Sequence, residues 1–415
     1  MRTLTARIFP ALGLMAVLAL ASGCGSSPSS SSGGSQNNGG GGGGGSTSNT
    51  QPIAVNFGPL PNSGYADAAF TSVTLCSPGS STNCQTISGV LVDTGSFGLR
   101  ILSSALTTIS LPQQTDGSGN PMAECGDFAS GVTWGPVQTA DIKIAGEVAS
   151  SIPIQIIGSA NFPTVPADCS SQGAPMDNLA SLGANGILGV GQSIQDCGAA
   201  CASGNPLGAY YTCPSSGCTD TTESVAMQVQ NPVASFATDN NGVIVELPAV
   251  STPTATLSGS LIFGIGTQSN NGLGTATVFG TDDFGDFSSS YNGTSYVGFL
   301  DSGSNGVFFL DSTILAVAVC PDQTFLYCPS STETFTLKNT AQAGGASGSV
   351  TVTVGNGDAL TQGDNAAIPG LAGPLTQPGL PTMVDYGLPF FFGRNVYTAF
   401  VGKSTPGGTG PYTAY

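Results

Sequence analysis

The chain contains no histidine. That excludes Ser-His-Asp and Cys-His catalysis, and every histidine-ligated metal site, at once. Cations are nearly as scarce, with 7 Lys and Arg against 24 Asp and Glu in 415 residues. A surface so poor in positive charge repels nucleic acid and anionic lipid, so no nucleic-acid partner is expected. Charged residues of either sign are only 7% of the chain. Little stability then rides on titrating carboxylates, which suits a protein exposed to changing pH. Helical periodicity is rare, there is one tryptophan, Trp134, and no segment is apolar for long enough to cross a bilayer comfortably.

The beginning of the chain reads as targeting. Arg2 and Arg7 precede an apolar run over residues 8–21, followed by Ala21-Ser22-Gly23-Cys24. The form is that of a signal peptide, residues 1–23, and the small residues before Cys24 resemble a bacterial lipobox. Lipidation at Cys24 is expected, with anchoring to the bacterial cell envelope, at the outer membrane, through that lipid alone. Residues 24–50 are a Gly/Ser-rich tether. The run of glycines at 39–45 has no following Lys-Ser/Thr and no preceding strand, so it is no phosphate cradle.

Eleven cysteines occur, and ten remain when Cys24 is set aside. An even number in an exported chain predicts disulfides. Cys76 with Cys84 and Cys320 with Cys328 close short loops. Cys197 with Cys218 and Cys201 with Cys213 form a nested pair in this reading, which leaves Cys125 for Cys169. The rival use of the 197–218 cluster, a four-thiolate zinc site, is disfavoured in an oxidising compartment. Asp282, Asp283 and Asp286 lack the EF-hand spacing and read as a solvated acidic loop. No metal and no cofactor is expected.

Short apolar or alternating runs separated by Gly, Pro, Asn and Ser give an all-β fold. Strands are expected at residues 72–75, 89–92, 139–144, 152–157, 242–247, 260–264 and 349–354, and short helices at 225–229 and 312–319. The roughly 365 residues after the tether exceed one core, so two lobes are expected, at 51–250 and 251–415.

Two stretches carry the chemistry. Gly89-Val90-Leu91-Val92-Asp93-Thr94-Gly95-Ser96 returns 208 positions later as Tyr296-Val297-Gly298-Phe299-Leu300-Asp301-Ser302-Gly303-Ser304. Each sets one acid at the end of an apolar run, where burial favours the neutral carboxyl. Each follows it with a hydroxyl, a glycine and a second hydroxyl. Two such acids brought face to face share a proton and work as acid and base. The halves also agree downstream: Gly186-Ile187-Leu188-Gly189 follows the first acid, and Phe391-Phe392-Gly393-Arg394 follows the second.

These marks, in this order, resemble the pepsin-like aspartic proteases and the bacterial lipoproteins of that superfamily. Pro232-Val233-Ala234-Ser235-Phe236, Gly259-Ser260-Leu261-Ile262-Phe263-Gly264 and Asn395-Val396-Tyr397-Thr398-Ala399-Phe400 extend the resemblance from about residue 56 to 400. It implies two β-barrel-like lobes with a cleft between them and Asp93 and Asp301 meeting at its floor. Ser96 and Ser304 would bond the outer carboxylate oxygens, Thr94 and Ser302 would brace the loops, and Gly95 and Gly303 complete the turns. It implies an endopeptidase acting on a peptide or protein held in the cleft, most active below neutral pH, and a monomer. The family's flap tyrosine falls at Phe128, within residues 125–131, and the aromatic that bonds it falls at Arg100. Ser130 and Gly131 belong to the same hairpin, with Trp134 as a second candidate for closing the cleft, although packing in the core is the more usual role of such a residue. A pepsin-fold binding or structural lipoprotein without turnover is the alternative, and the altered flap is what favours it.

Overall fold

The computed structural model describes residues 48–60, 65–375 and 383–415. The signal segment and Cys24 lie outside the described residues. Asn49 is already buried and donates to the Phe263 carbonyl, and the strand Thr50–Val55 opens the fold.

The protein is all-β and two-lobed. The helices among the described residues are single turns, such as Leu179–Leu182 and Ser312–Leu315. Asn178 and Asp311 cap these two through their side chains, which satisfies the first backbone donors of so short a helix. Among the described residues the strands form a fifteen-stranded sheet, a seven-stranded sheet and a two-stranded ribbon. The seven expected strands are all present, most of them longer than the sequence pattern indicated.

One local arrangement occurs twice and places the site. Strand Cys84–Asp93 ends at the first acid, and Phe97–Leu102 leaves the turn beyond it. Gly186–Val190 lies between them, parallel to the first and antiparallel to the second. In the second half Thr294–Leu300 and Val307–Phe309 flank Met383–Tyr386 in the same senses. Each acid therefore emerges on a short turn whose two arms are hydrogen-bonded to one crossing strand, so the turn cannot shift independently of the sheet.

The register corrects one expectation. Asp93 pairs with Gly189, as the sequence suggested. The backbone N–H of Asp301 instead donates to Tyr386, which puts Gly387, not Gly393, in the corresponding place. A Cβ on Gly387 would lie 2.0 Å from the Gly306 carbonyl oxygen, so the crossing needs glycine there. Phe391 and Phe392 are buried beyond the crossing, where they fill the core. The apolar-apolar-glycine pattern was misleading because the true crossing strand carries Asp385 and Tyr386.

The larger sheet continues through the chain's midpoint. Thr50–Val55 pairs with Leu257–Phe263, which pairs with Gly242–Leu247, which pairs with Arg394–Ala399. The main apolar cluster likewise runs from Ile53 through Val92 and Leu300 to Phe400.

Candidate active site

Asp93 and Asp301 meet. Their carboxyl groups share a hydrogen bond, and each presses on the other's turn. A Cβ on Gly95 would stand 2.6 Å from Asp301 Cγ, and one on Gly303 would stand 2.7 Å from Asp93 Oδ1. Both distances are too short for any side chain, which is why each acid is followed, two residues on, by glycine.

The turns are locked to one another by four reciprocal bonds. Thr94 Oγ1 donates to the Leu300 carbonyl at 3.1 Å and accepts from Ser302 N at 2.9 Å. Ser302 Oγ donates to the Val92 carbonyl at 2.8 Å and accepts from Thr94 N at 3.1 Å. All four are buried, so none is shared with water. Ser96 Oγ donates to Asp93 Oδ2, and Ser304 Oγ lies 2.8 Å from Asp301 Oδ2. The backbone N–H groups of Gly95 and Gly303 each reach the inner oxygen of their own aspartate at 2.8 Å.

Burial pushes the Asp93 carboxyl well above its ordinary range, and the negative charge of Asp301 pushes it further. Two acids this close cannot both ionise cheaply, so the pair holds one proton between them. Tyr65 stands within the field of the pair. Burial and then the charges of Asp301 and Asp93 raise its phenol to about 12, so it remains a neutral donor.

The pair lines a cavity of about 490 Å³. The hairpin formed by Met122–Phe128 and the start of Gly131–Ile144 overhangs it, and Phe128 and Ala129 face in. Arg100 stacks on Phe128, with its guanidinium carbon 5.3 Å from the ring centre. The two departures in the flap are thus partners: a cation on a ring replaces a bond between two aromatic side chains. Arg100 also holds Glu124 and, at 3.1 Å, Asp196, whose other oxygen accepts from Tyr210 at 2.7 Å. Burial raises Glu124, Arg100 opposes that, and the charge of Asp196 raises it again, with a net upward shift.

The remaining flap candidates lie elsewhere. Ser130 Oγ donates to Met176 Sδ at 3.1 Å, and Gly131 passes so close to Ala174 that a Cβ would meet its carbonyl oxygen at 2.2 Å. Trp134 does not close the cleft. It is 3% exposed, donates to the Phe162 carbonyl and packs edge-on against Tyr211.

Ten cysteines form five disulfides, among them Cys76–Cys84, Cys125–Cys169 and Cys320–Cys328, as expected. The nested pair is corrected to Cys197–Cys201 and Cys213–Cys218. The short helix Ala199–Ala202 and the turn before Thr219–Thr221 fold each cysteine back on its near neighbour. With all four sulfurs in disulfides, that cluster offers no thiolate to zinc. In the acidic loop Asp282 accepts from the backbone N–H groups of Phe284 and Asp286, each at 2.9 Å, so its carboxylate closes the loop itself.

Tyr65, Glu124, Asp196 and Asp385 were not singled out from the sequence. Asp385 had a legible mark, because an acid inside the apolar strand Met383–Tyr386 is as costly to bury as Asp93. Tyr65 had none.

Two lobes, paired crossing strands and a carboxyl pair where the lobes meet define a pepsin-like fold. An aspartic proteinase from Irpex lacteus has this fold, with a TM-score of 0.50 at 15% identity over 88% of this chain and 96% of that one. The likeness at that identity is one of fold. The chain belongs to the family described as "Protein of unknown function (DUF3443)", which it matches over residues 45–415. No curated protein matches it.

Proposed function

We propose that the protein is an aspartic endopeptidase held at the bacterial cell envelope by a lipid on Cys24. The observation that carries this reading is the carboxyl–carboxyl hydrogen bond between Asp93 and Asp301 at the cavity wall, braced by four buried bonds between their turns. A binding protein has no need to bury two acids against each other at that cost.

In the reaction a water bound between the carboxyls loses a proton to Asp301 as it attacks the peptide carbonyl. Asp93 gives its proton to the carbonyl oxygen as negative charge develops there. The tetrahedral intermediate collapses when a proton passes to the departing nitrogen, and the amine leaves. Thr94 and Ser302 hold the carboxyls in register, and Ser96 and Ser304 fix their outer oxygens.

The test is cleavage of an unfolded protein in the acid range, with a pepstatin-type inhibitor as a control. Cleavage blocked by the inhibitor, and reduced at least about 10³-fold in Asp301→Asn and in Asp93→Asn, is expected. Cleavage that survives either substitution overturns the assignment. Peptide binding without cleavage would instead favour a binding lipoprotein, the reading to which the Arg100–Phe128 contact points.

A further inference from the structure

The cavity holds a second pair of carboxyls. Glu124, on the first strand of the overhanging hairpin, shares a hydrogen bond with Asp196, in the loop after the crossing strand Gly186–Val190. Arg100 Nη2 serves both acids, donating to Glu124 Oε1 and, at 3.1 Å, to Asp196 Oδ2. The other oxygen of Asp196 accepts from the Tyr210 hydroxyl at 2.7 Å, and that hydroxyl accepts from Val229 N at 2.8 Å. Side-chain exposure is 1% for Glu124, 4% for Arg100 and 10% for Asp196, so water does little to screen the cluster.

Charge counting gives the state of the cluster. A hydrogen bond between two carboxyls needs a proton, because an ionised carboxylate only accepts. With that proton the two acids carry one negative charge, which the guanidinium cancels. Without it a net negative charge is left under the hairpin, away from water. No second cation can offset it, since Arg100 is the one cation among the described cavity residues. Arg100 in turn carries the constraint to the hairpin's tip. Its Nη1 donates to the Phe97 carbonyl at 2.7 Å, and its guanidinium carbon stands 5.3 Å from the centre of the Phe128 ring. Glycine at 126 leaves room for this approach, because a Cβ there would stand 3.0 Å from Arg100 Nε.

We propose that Glu124, Asp196 and Arg100 form a proton-gated latch for the hairpin. While the pair holds its proton, the cluster is neutral, Arg100 stays against Phe128 and the hairpin lies closed over the cavity. When the proton leaves, the two carboxylates repel each other and draw in water, Glu124 withdraws with its strand, and the ring lifts from the guanidinium. Glu124 is thus a positioning residue that acts on the cavity through Arg100 and Phe128. The latch goes beyond the peptidase reading and does not rest on it.

The titratable groups facing the pair are Arg100 and Tyr210, whose phenol is kept neutral by burial and by the charges of Asp196 and Glu124. Thr133 and Gln155, from the strands packed behind Glu124, are neutral and bond to each other and to the Glu124 carbonyl. Asp127 is the next acid along the hairpin, and Asp93, Asp286, Asp301 and Asp385 line the rest of the cavity. Burial raises Glu124 on folding. A carboxyl raised in this way contributes its full stabilisation below its unfolded pKa and loses it as pH rises through the folded one. The latch is therefore closed in acid and opens toward alkaline pH.

Two variants test this, Glu124→Gln and Asp196→Asn. Each leaves one carboxylate against Arg100, a neutral arrangement with no proton to lose. Infrared spectra at about pH 6, above the ordinary carboxylate range, are compared with those of the unaltered protein. Loss of a protonated-carboxyl C=O band is expected in each variant. Loss of carboxylate bands instead shows both acids ionised and overturns the proposal. Hydrogen exchange over residues 125–131 reads the latch itself. Protection, taken relative to the unstructured rate at the same pH, should fall at least about tenfold between about pH 4 and about pH 9 in the unaltered protein. In Glu124→Gln it should fall less than about twofold over the same range. Protection that does not fall, a fall unchanged in Glu124→Gln, or one removed by Asp127→Asn instead, overturns the gating. Neither measurement needs turnover, so failure of the peptidase reading leaves both results intact, and failure of the latch leaves that reading untouched.

Discussion

Thr94 shows how much of the site depends on single atoms. Its Oγ1 serves Ser302 N and the Leu300 carbonyl, both out of reach of water. Thr94→Val keeps the shape and leaves both groups unpaired, so a loss of about 3 kcal/mol in urea unfolding is expected. Asp127 gives a second prediction. Both its oxygens are buried without a hydrogen-bond partner among the described residues, and burial raises it to about 7. A carboxyl raised on folding stabilises the fold fully below its unfolded pKa, and that contribution is lost as pH rises through the folded one. Thermal unfolding midpoints should therefore fall between about pH 4 and pH 8, and Asp127→Asn should reduce that slope. A slope unchanged by the substitution would show that Asp127 does not titrate in this window. Asp93 and Asp301 were legible in the sequence because each acid ends an apolar run before hydroxyl, glycine and hydroxyl. Asp385 bears the same physical mark, but it is single and has no repeat to draw attention to it.

Among the elements, the hairpin over the cavity is the most distinctive. Cys125 on its first strand is joined to Cys169 in the short helix Ala167–Ser170, and Val132 on its second strand exchanges two backbone bonds with Ala174 and Met176. The overhang is therefore fastened at its base and beside its tip. Replacing both Cys125 and Cys169 by serine should cost about 2–4 kcal/mol of stability. Hydrogen exchange over residues 122–137 should quicken as well, and protection equal to wild type would show that the disulfide does not restrain the hairpin. The strands themselves were readable from alternation and from Gly and Pro breaks. The crossing strand of the second half was not, because Tyr386 does not read as apolar, although it is buried with its hydroxyl bonded to Ser289 and Asn339. The pairings of Cys197 and Cys213 also escaped, since spacing does not reveal which way a short turn faces.

For the whole molecule, the two acids come from turns 208 positions apart, and only the closing of the halves on each other makes a site of them. The sheet that runs from Thr50–Val55 through Arg394–Ala399 ties the first of the described strands to one of the last beside that junction. The duplication announced this closure in the sequence; the cavity's acidity did not show, because Glu124 and Asp127 on one strand, Asp196 and Asp286 reach it from three separate segments. The most direct measurement is a crystal structure with a statine-containing peptide, whose hydroxyl mimics the attacking water. The account predicts that hydroxyl between Asp93 and Asp301, within hydrogen-bond distance of both, and no complex with Asp301→Asn. A peptide bound away from the two carboxyls, or bound equally by the variant, would contradict it.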